Sequence, residues 1–326
     1  MIRIRWYTAI FCLAALGLLG PAEAQMQNWP TRPIKFVVPY APGGGNDILA
    51  RVIGEKLNQP LGQPIIIDNR SGAGGNIGAE FVARSAADGY TFLVAPNAVL
   101  TVNPHLYAKI AYDPLKDFTP VGQLGVLPVV LVVNAGVRAK SVAELIALAK
   151  ANPDALSYAS AGSGTPHHLA AELFKYMTGI EMKHIPYRGG ALAATDIIAG
   201  RVQVMFAPIN NITPYLATGS LRVLGVGGDK RLPSLPSVPT IAEAGVPGFN
   251  VDNWVALVAP AGTPNDIVAK LSGAIGKILA QSEVREKIEA TGIEPAFSTP
   301  EQLAEMIRTG YVHWGTIIKN AGIKAD

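Results

Sequence analysis

Short apolar runs alternate with amphipathic stretches along most of this chain, separated by glycine-rich or polar turns. Residues 34–39 form the first apolar run, residues 43–45 are three glycines, and residues 48–57 place apolar side chains on one helical face. A short Val-rich run predicts a buried strand, whereas apolar residues three or four apart predict an amphipathic helix. The pattern predicts a strand, a sharp glycine turn, and a helix that Asn46 or Asp47 caps.

The same strand–loop–helix pattern recurs through the chain. Further strands are predicted at residues 64–68, 90–95, 121–125, 129–133, 156–159, 182–186, 202–207, 221–226 and 254–258. Further helices are predicted at residues 77–86, 166–178, 191–199 and 214–217, and from Ser141, Thr263-Pro264 and Thr299-Pro300 onward. Residues 97–117 carry turn signals and are predicted to be irregular. This alternation predicts parallel sheets with helices on both faces.

Two stretches predict that the chain forms two lobes. Leu127-Pro128 separates two apolar strands, and residues 231–248 contain too many prolines for regular structure. We place a crossing between lobes at each stretch, so that residues 25–124 plus 252–326 form lobe 1 and residues 125–251 form lobe 2. The predicted fold is α/β, with two β/α lobes joined by two crossings around a central cleft. The last two helices are expected to pack on lobe 1.

Residues 1–24 have the composition of a signal peptide. Arg3 and Arg5 precede an apolar stretch, and Ala22-Glu23-Ala24 fits a small-x-small cleavage site. The apolar stretch is shorter than the roughly 20 residues of a bilayer span. We predict export to the periplasm with cleavage near Ala24; a signal anchor is the alternative. Cys12, the only cysteine, lies in this segment, so the mature chain is expected to contain no disulfide and no thiolate ligand.

The candidate ligand-binding segments are the glycine- and serine-rich loops between a strand end and the next helix, which we call junctions. A strand end, a glycine loop and a helix N-terminus together expose backbone N–H groups, which favours an anion. The first junction lies at residues 39–47, the second at 68–78, the third at 160–168 and the fourth at 207–214, and residues 187–191 open a further helix. Four such junctions facing one cleft predict a receptor for a small carboxylate. The candidate ligand-binding residues are Tyr40, Ala41, Pro42, Gly43, Gly44, Ala73, Gly74, Gly75, Asn97, Ser160, Ser163, Gly164, Thr165, His167, Tyr187, Arg188, Gly189, Ala191, Asp196 and Asn210.

Three of these side chains leave alternatives open. Arg188 is either a bidentate clamp on the ligand or a solvated loop arginine. Asp196 orients loop amides, accepts from a ligand amine, or lies on the surface. His167 or its neighbour His168 contacts the ligand, or both belong to the packing of the helix.

Several other functions lack the residues they need. The stretch at residues 72–78 departs from a dinucleotide fingerprint, and residues 43–45 lack the Gly-Lys-Ser/Thr of an ATP loop. No elbow or zinc motif of a hydrolase is present, and adjacent histidines are a poor metal pair. Ser163 with His167 is a conceivable nucleophile–base pair, although helix capping explains it better.

Removing residues 1–24 lowers the formal net charge from +3 to +2, and no basic run indicates a nucleic-acid partner. We predict no catalytic residue, metal or cofactor.

At the junctions the chain resembles the Bug family, the periplasmic solute-binding components of tripartite tricarboxylate transporters. Eight stretches carry the resemblance: Pro39-Tyr40-Ala41-Pro42-Gly43-Gly44, Asp68-Asn69-Arg70-Ser71-Gly72-Ala73-Gly74-Gly75, Asp88-Gly89-Tyr90, Tyr112-Asp113-Pro114 with Asp117-Phe118, His168-Leu169-Ala170-Ala171-Glu172-Leu173-Phe174, His184-Ile185-Pro186-Tyr187-Arg188-Gly189-Gly190, Val238-Pro239-Thr240 with Glu243-Ala244-Gly245, and Ala259-Pro260-Ala261-Gly262-Thr263-Pro264. They run in order from about Trp29 to the C-terminus.

The resemblance implies a type II periplasmic binding-protein fold that closes on a small carboxylate. It also implies that loop amides and ordered water hold the carboxylate, with Asp196 a recurrent contact. Asn46 departs from the Thr or Ser common before Asp47 in the family. The implied partners are membrane permease subunits and a di- or tricarboxylate, an acidic amino acid or an aromatic acid. A sensor kinase partner and a periplasmic enzyme on the same fold remain alternatives.

Overall fold

The computed structural model describes residues 29–153, 155–251 and 253–324, so the predicted signal peptide lies outside the described residues. The strands are β1 (Ile34–Val38), β2 (Ile65–Asn69), β3 (Thr91–Pro96), β4 (Phe118–Val126), β5 (Val129–Asn134), β6 (Ser157–Ser160), β7 (Lys183–Pro186), β8 (Val204–Pro208), β9 (Leu221–Val226), β10 (Trp254–Pro260) and β11 (Glu294–Pro295). The helices are α1 (Gly45–Leu61), α2 (Asn76–Ala83), α3 (Asn97–Thr101), α4 (Asn103–Leu106), α5 (Val142–Ala151), α6 (Pro166–Thr178), α7 (Gly190–Ile198), α8 (Ile209–Leu216), α9 (Asn265–Leu279), α10 (Ser282–Glu289) and α11 (Pro300–Ala321), with a 3-10 turn at Ala73–Gly75.

The strands form two mixed sheets with the same internal arrangement. The first sheet has the order β11-β4-β10-β3-β1-β2, and the second has the order β7-β6-β8-β5-β9. In the first, β1 pairs in parallel with β2 and β3 while β10 is antiparallel to β3 and β4. In the second, β6 pairs in parallel with β7 and β8 while β5 is antiparallel to β8 and β9. Each sheet thus contains one antiparallel strand that arrives from the other sheet. The α/β periplasmic binding-protein fold is confirmed.

Alternate side chains of each strand pack into separate cores on the two faces of its sheet. Phe36 lies in one core of the first sheet with Phe92, and Val37 lies in the core on the opposite face. The ring centroids of Phe36 and Phe92 are 6.0 Å apart in an edge-to-face arrangement. Full burial of one such side chain contributes roughly 1.5–3 kcal/mol. These cores hold the strand ends, and therefore the loops that follow them, in place.

The two crossings between the sheets are bonded to each other. The chain leaves the first sheet after Val126 and returns to it at Trp254. Beside these points, the Leu127 N–H donates to the Asn253 carbonyl (2.8 Å). The Asn253 side-chain amide donates back to the Leu127 carbonyl (3.0 Å). Both residues are buried, so the two hydrogen bonds fasten the crossings together at one point.

The C-terminal helix α11 contacts the cores of both sheets. It begins with a capping box between Thr299 and Gln302. Its first half places Leu303 in a core of the first sheet, whereas Trp314 and Ile318 in its second half lie in a core of the second. We predicted that this helix packs on lobe 1; it contacts the second sheet as well. No helix in the described part of the chain is both long and apolar enough to cross a bilayer.

Three local predictions were wrong. The N-cap of α1 is Gly44, and Asp47 is already in the first turn of the helix. Residues 97–117, predicted to be irregular, contain α3 and α4. Helix α8 begins at Ile209 rather than Pro214 and carries that proline inside it. A proline inside a helix removes one backbone hydrogen bond, and buried Ile209 and Ile212 anchor the turns before it.

Removing the Asn253 side chain should weaken the link between the crossings. Asn253→Ala leaves the buried Leu127 carbonyl without its side-chain donor, which costs about 1–3 kcal/mol. We expect urea denaturation to show this loss of unfolding free energy. Asn320→Ala, which removes an exposed asparagine side chain from α11, is the control and should change it by less than about 0.5 kcal/mol. Equal effects of the two changes would contradict a structural role for the Asn253 side chain.

Candidate functional site

Five helices that follow the predicted glycine- and serine-rich loops or the end of β8 have no side-chain cap, and α3 and α9, which also follow strands, have none either. The N-caps of the five are Gly44 for α1, Gly75 for α2, Thr165 for α6, Gly189 for α7 and Pro208 for α8, and none of them makes a side-chain cap hydrogen bond. By contrast, Ser141 and Thr299 cap α5 and α11 with their side chains. The first N–H groups of an uncapped helix need another acceptor, and the helix dipole favours a negative one. The cap that we predicted for Thr165 is therefore absent as a side-chain bond.

Helix starts from different sheets approach one another where glycine leaves room. A Cβ atom placed on Gly45, at the start of α1, would lie 3.6 Å from the Asn210 side-chain nitrogen in α8. A Cβ atom on Gly190, at the start of α7, would lie 2.8 Å from the Asn211 side-chain nitrogen and 3.4 Å from His167 Nε2. The starts of α1, α6, α7 and α8 therefore surround one region between the sheets.

Buried polar atoms without a hydrogen-bond partner among the described residues lie at these helix starts. They are Tyr40 Oη, Asn46 Nδ2, both ring nitrogens of His167, and Asn210 Oδ1. Asn46 and His167 are each only 5% exposed. Burial lowers the pKa of His167 to about 4, so the ring is neutral at pH 7 and has one donor and one acceptor nitrogen. Buried polar groups are nearly always paired, and a cluster that is not points to a ligand site.

The 3-10 turn after β2 has an unusual backbone. Gly72, Ala73, Gly74 and Gly75 all have positive φ, at 134°, 47°, 63° and 97°. Ala73 is the one non-glycine residue with positive φ in the described part of the chain. Strained backbone of this kind gathers at functional sites. It supports the prediction that this turn presents amides to a ligand.

A polar network that the sequence analysis missed holds this turn. The Asn103 side-chain amide donates to the Gly74 carbonyl (3.1 Å) and to Asn76 Oδ1 (2.7 Å). The Tyr112 hydroxyl lies 2.8 Å from the same Asn76 oxygen. Asn103 and Tyr112 fall in the stretch predicted to be irregular, where no periodicity singled them out.

Tyr107 connects the loops of the two sheets. Its hydroxyl donates to the Ser163 carbonyl (3.3 Å). A Cβ atom on Gly164 would lie 3.2 Å from that hydroxyl, and one on Gly74 would collide with it. Burial raises the pKa of Tyr107, so the hydroxyl keeps its proton. The structure therefore brings the second and third predicted junctions together through a residue that we had not predicted.

Asp47 fixes the glycine loop of the first junction. Its carboxylate accepts from the Gly43 N–H (2.9 Å), from two guanidinium nitrogens of Arg51 (2.9 and 3.0 Å) and from Asn69 Nδ2 (3.0 Å). Burial raises the pKa of Asp47, but these hydrogen bonds outweigh it and leave the pKa below its usual value. The carboxylate is thus ionised and fully engaged.

The loop after β6 is held from within by Ser160 and two histidines. Ser160 Oγ accepts from the Gly162 N–H (3.1 Å) and lies 2.7 Å from His184 Nε2. The Gly164 N–H donates to His168 Nδ1 (3.2 Å), and the rings of His168 and His184 stack 4.5 Å apart. Because neither nitrogen of His167 has a partner among the described residues, the Ser163–His167 pair conceived above is not formed.

The loop and helix that follow β7 carry the charged candidates. Asp196 accepts from the Tyr187 hydroxyl (2.8 Å) and from Arg201 (2.7 Å). These two hydrogen bonds lower the pKa of Asp196, and burial followed by the bond to Asp196 raises that of Tyr187 to about 12. The Arg188 side chain is exposed.

The other candidates differ in burial. Asn97, Ser160, Gly164 and Thr165 are buried, Gly44, Gly189 and Asn210 are half-buried, and Ala41, Pro42, Gly43, Ala73 and Ala191 are exposed.

Gly74 should tolerate alanine poorly for a reason specific to the site. Gly74→Ala places a Cβ against the Tyr107 hydroxyl, whereas Gly179, with the similar φ of 64°, has open space around it. Each substitution costs about 1–2 kcal/mol through its left-handed backbone. We expect urea denaturation to show a further loss of about 1–3 kcal/mol for Gly74→Ala alone. Adding Tyr107→Phe should recover part of it, and no recovery would mean that the hydroxyl is not the obstacle.

His167 should make stability depend on pH between 6.5 and 4. In this range the unfolded chain binds a proton that the folded chain does not, so the unfolding free energy falls as the pH falls. At about 1.4 kcal/mol per pKa unit, the full loss is about 3 kcal/mol, and none of it occurs above pH 6.5. Denaturation at pH 4.5 and 7.5 should show a smaller difference for His167→Gln than for the unchanged chain. The exposed His313 is the control, since His313→Gln should preserve the difference.

Comparison with known proteins agrees with this geometry. A family model described as the tripartite tricarboxylate transporter family receptor matches residues 49–323. Protein BugT of Bordetella pertussis is 37% identical over 325 residues, covering 99% of both chains. A UPF0065 protein from the tcbD-tcbE intergenic region of Pseudomonas sp. (strain P51) is 39% identical over 303 residues, covering 93% of this chain and 90% of that protein.

Solved structures show the same similarity. The R. palustris protein Rpa4515 with adipate superposes with a TM-score of 0.86 at 39% identity, covering 91% of this chain and all of the other. MatC from Rhodopseudomonas palustris with bound malate has a TM-score of 0.81 at 35% identity, covering 89% and 100%. The periplasmic binding protein BugD has a TM-score of 0.83 at 32% identity, covering 91% and 100%. The chain therefore belongs to the tripartite tricarboxylate transporter receptor family, whose members are periplasmic solute-binding proteins.

Proposed function

We propose that this protein captures a small carboxylate between its two sheets and delivers it to a permease of the tripartite tricarboxylate type. The observation that carries the proposal is the meeting of uncapped helix starts with buried, unpartnered polar atoms. Relatives of similar fold hold adipate and malate, which are small carboxylates. We further propose that the predicted candidate residues, joined by Tyr107, form the binding region.

The chemistry of the region suits one carboxylate group. Backbone N–H groups at helix starts stabilise a negative charge without a cationic side chain. The two acidic side chains beside the helix starts, Asp47 and Asp196, are already bound to Arg51 and Arg201. The negative charges of both acids are therefore balanced, and the helix-start amides can attract an anion.

Ligand capture would be coupled to movement of two lobes. We propose the division predicted above, with the Leu127–Asn253 hydrogen bonds at the pivot and the Tyr107–Ser163 hydrogen bond as a contact that forms when the lobes approach. A ligand shifts such an equilibrium only by binding one state better than the other. Bound carboxylate would bridge both lobes, and the permease would recognise the closed form.

Export follows from the same proposal. Residues 1–24 would direct the chain to the periplasm and be removed near Ala24, which places the receptor on the side of the membrane where its ligand arrives. Periplasmic location of the family members supports this.

Two other functions make different demands. A sensor would bind the same carboxylate but pass the closed state to a kinase, and genes beside this one would distinguish it. An enzyme would convert the carboxylate, whereas a receptor returns it unchanged. The ionised carboxylates near the helix starts, Asp47 and Asp196, are bound to arginines, which favours the receptor.

A thermal-shift screen tests the proposal. The mature protein, unfolded and refolded to strip bound ligand, is heated with di- and tricarboxylates, acidic amino acids, hydroxy acids and aromatic acids. A ligand at a hundred times its Kd should add about 2.7 kcal/mol of stability, which is a shift of several degrees. Gly74→Ala should reduce the shift and Gly179→Ala should not. Recovery of chemically changed ligand would overturn the receptor function. The absence of a thermal shift with every class of acid would overturn the proposal that the ligand is a carboxylate.

A further inference from the structure

The unpartnered atoms at the site include acceptors as well as donors. Asn46 Nδ2 is a donor, and the Tyr40 hydroxyl can donate. Asn210 Oδ1 is an acceptor, and its orientation follows from the donation of Asn210 Nδ2 to Asn211 Oδ1 (3.1 Å). The neutral His167 ring adds one donor and one acceptor. A ligand that carries only carboxylate oxygens can accept from the donors but offers nothing to the acceptors.

The acceptors are close to helix starts of both sheets. Asn210 lies across from the start of α1, which holds Asn46, and its neighbour Asn211 shares the space beside Gly190 with His167. One small molecule that touches the start of α1 therefore lies beside Asn210 in α8, and His167 lies beside the start of α7 next to Asn211. Both ring nitrogens of His167 and Asn210 Oδ1 are buried, so leaving them unpaired is costly.

Charges near the site argue against a second ionised group on the ligand. Asp47 is bound to Arg51 and Asp196 to Arg201, so neither of these acids is left for an ammonium group. A second carboxylate would offer no donor to Asn210 Oδ1 or to the acceptor nitrogen of His167. The groups that remain for the far end of the ligand are neutral.

We propose that the ligand is a small monocarboxylate that also carries an uncharged hydrogen-bond donor, a hydroxyl or a carboxamide. Its carboxylate accepts from the helix-start amides and from Asn46, and its donor pairs with Asn210 Oδ1 or His167. This assignment rests on the proposed function and narrows it. Sites that hydrogen-bond a ligand O–H or N–H strongly reject analogues that lack it, because the buried partner is then left unpaired.

Matched acids of equal length test this assignment on the unaltered protein. Isothermal titration compares butyrate, 4-hydroxybutyrate, succinamate and succinate, and then the corresponding five- and six-carbon sets. We expect one hydroxy or carboxamide acid to bind at least thirtyfold more tightly than both the unsubstituted acid and the dicarboxylate of its length. If a dicarboxylate binds as tightly in every set, the assignment is overturned while the carboxylate receptor stands. If none of these acids binds while another class of carboxylate gives a thermal shift, the assignment is overturned and the receptor stands; no shift with any class overturns both.

Two variants separate the donor from the acceptor. Asn210→Ala removes the acceptor, so the preference for the hydroxy or carboxamide acid should fall at least tenfold while the unsubstituted acid binds within threefold of its original affinity. Asn46→Ala removes a donor to the carboxylate, so all acids should weaken by a similar factor and the preference should persist. An unchanged preference in Asn210→Ala together with His167→Phe would overturn the assignment. The ligand comparison on the unaltered chain stands even where a variant does not fold.

Discussion

The need to satisfy backbone N–H groups at helix starts governs the structure of the binding region. Some helices meet this need with a side chain, as α11 does with Thr299 and Gln302, whereas α3, α9 and α10 have no side-chain cap. The helices that follow β1, β6, β7 and β8 have no side-chain cap, so their first amides remain available. Because both sheets place parallel strand ends beside these starts, positive potential gathers between the sheets without a buried cation.

Side-chain hydrogen bonds to the backbone hold the loops around the region in place. Asp47 binds the glycine loop to Arg51 and Asn69, Asn103 binds the carbonyl of the strained turn, and Ser160 binds the loop after β6. Each of these side chains is buried or partly buried; Asp47 and Ser160 accept from loop N–H groups, and Asn103 donates to a loop carbonyl. The amides are therefore fixed before a ligand arrives, which reduces the entropy lost on binding.

Local sequence patterns predicted much of the fold but little of this supporting network. Val-rich runs and glycine loops gave strand and helix positions to within a few residues, because periodicity is a short-range property. We predicted that helix α8 begins at Pro214, because proline at a helix start was given more weight than the apolar residues Ile209 and Ile212. The insertion of β10 between β3 and β4 joins segments more than a hundred residues apart, which no local pattern reports. Tyr107 and Tyr112 were missed for the same reason, as their partners Ser163 and Asn76 are distant in sequence.

The position of β10 also sets the order in which the sheets can close as the chain is made. The strands of the second sheet, β5 to β9, are continuous in sequence, so that sheet is complete once residue 226 has emerged. In the first sheet, β3 and β4 have no shared neighbour until residues 254–260 arrive between them. Until then their facing edges expose unpaired backbone groups, the kind of surface on which chains associate wrongly. The central strand of the first sheet is thus added only when nearly four-fifths of the chain has emerged.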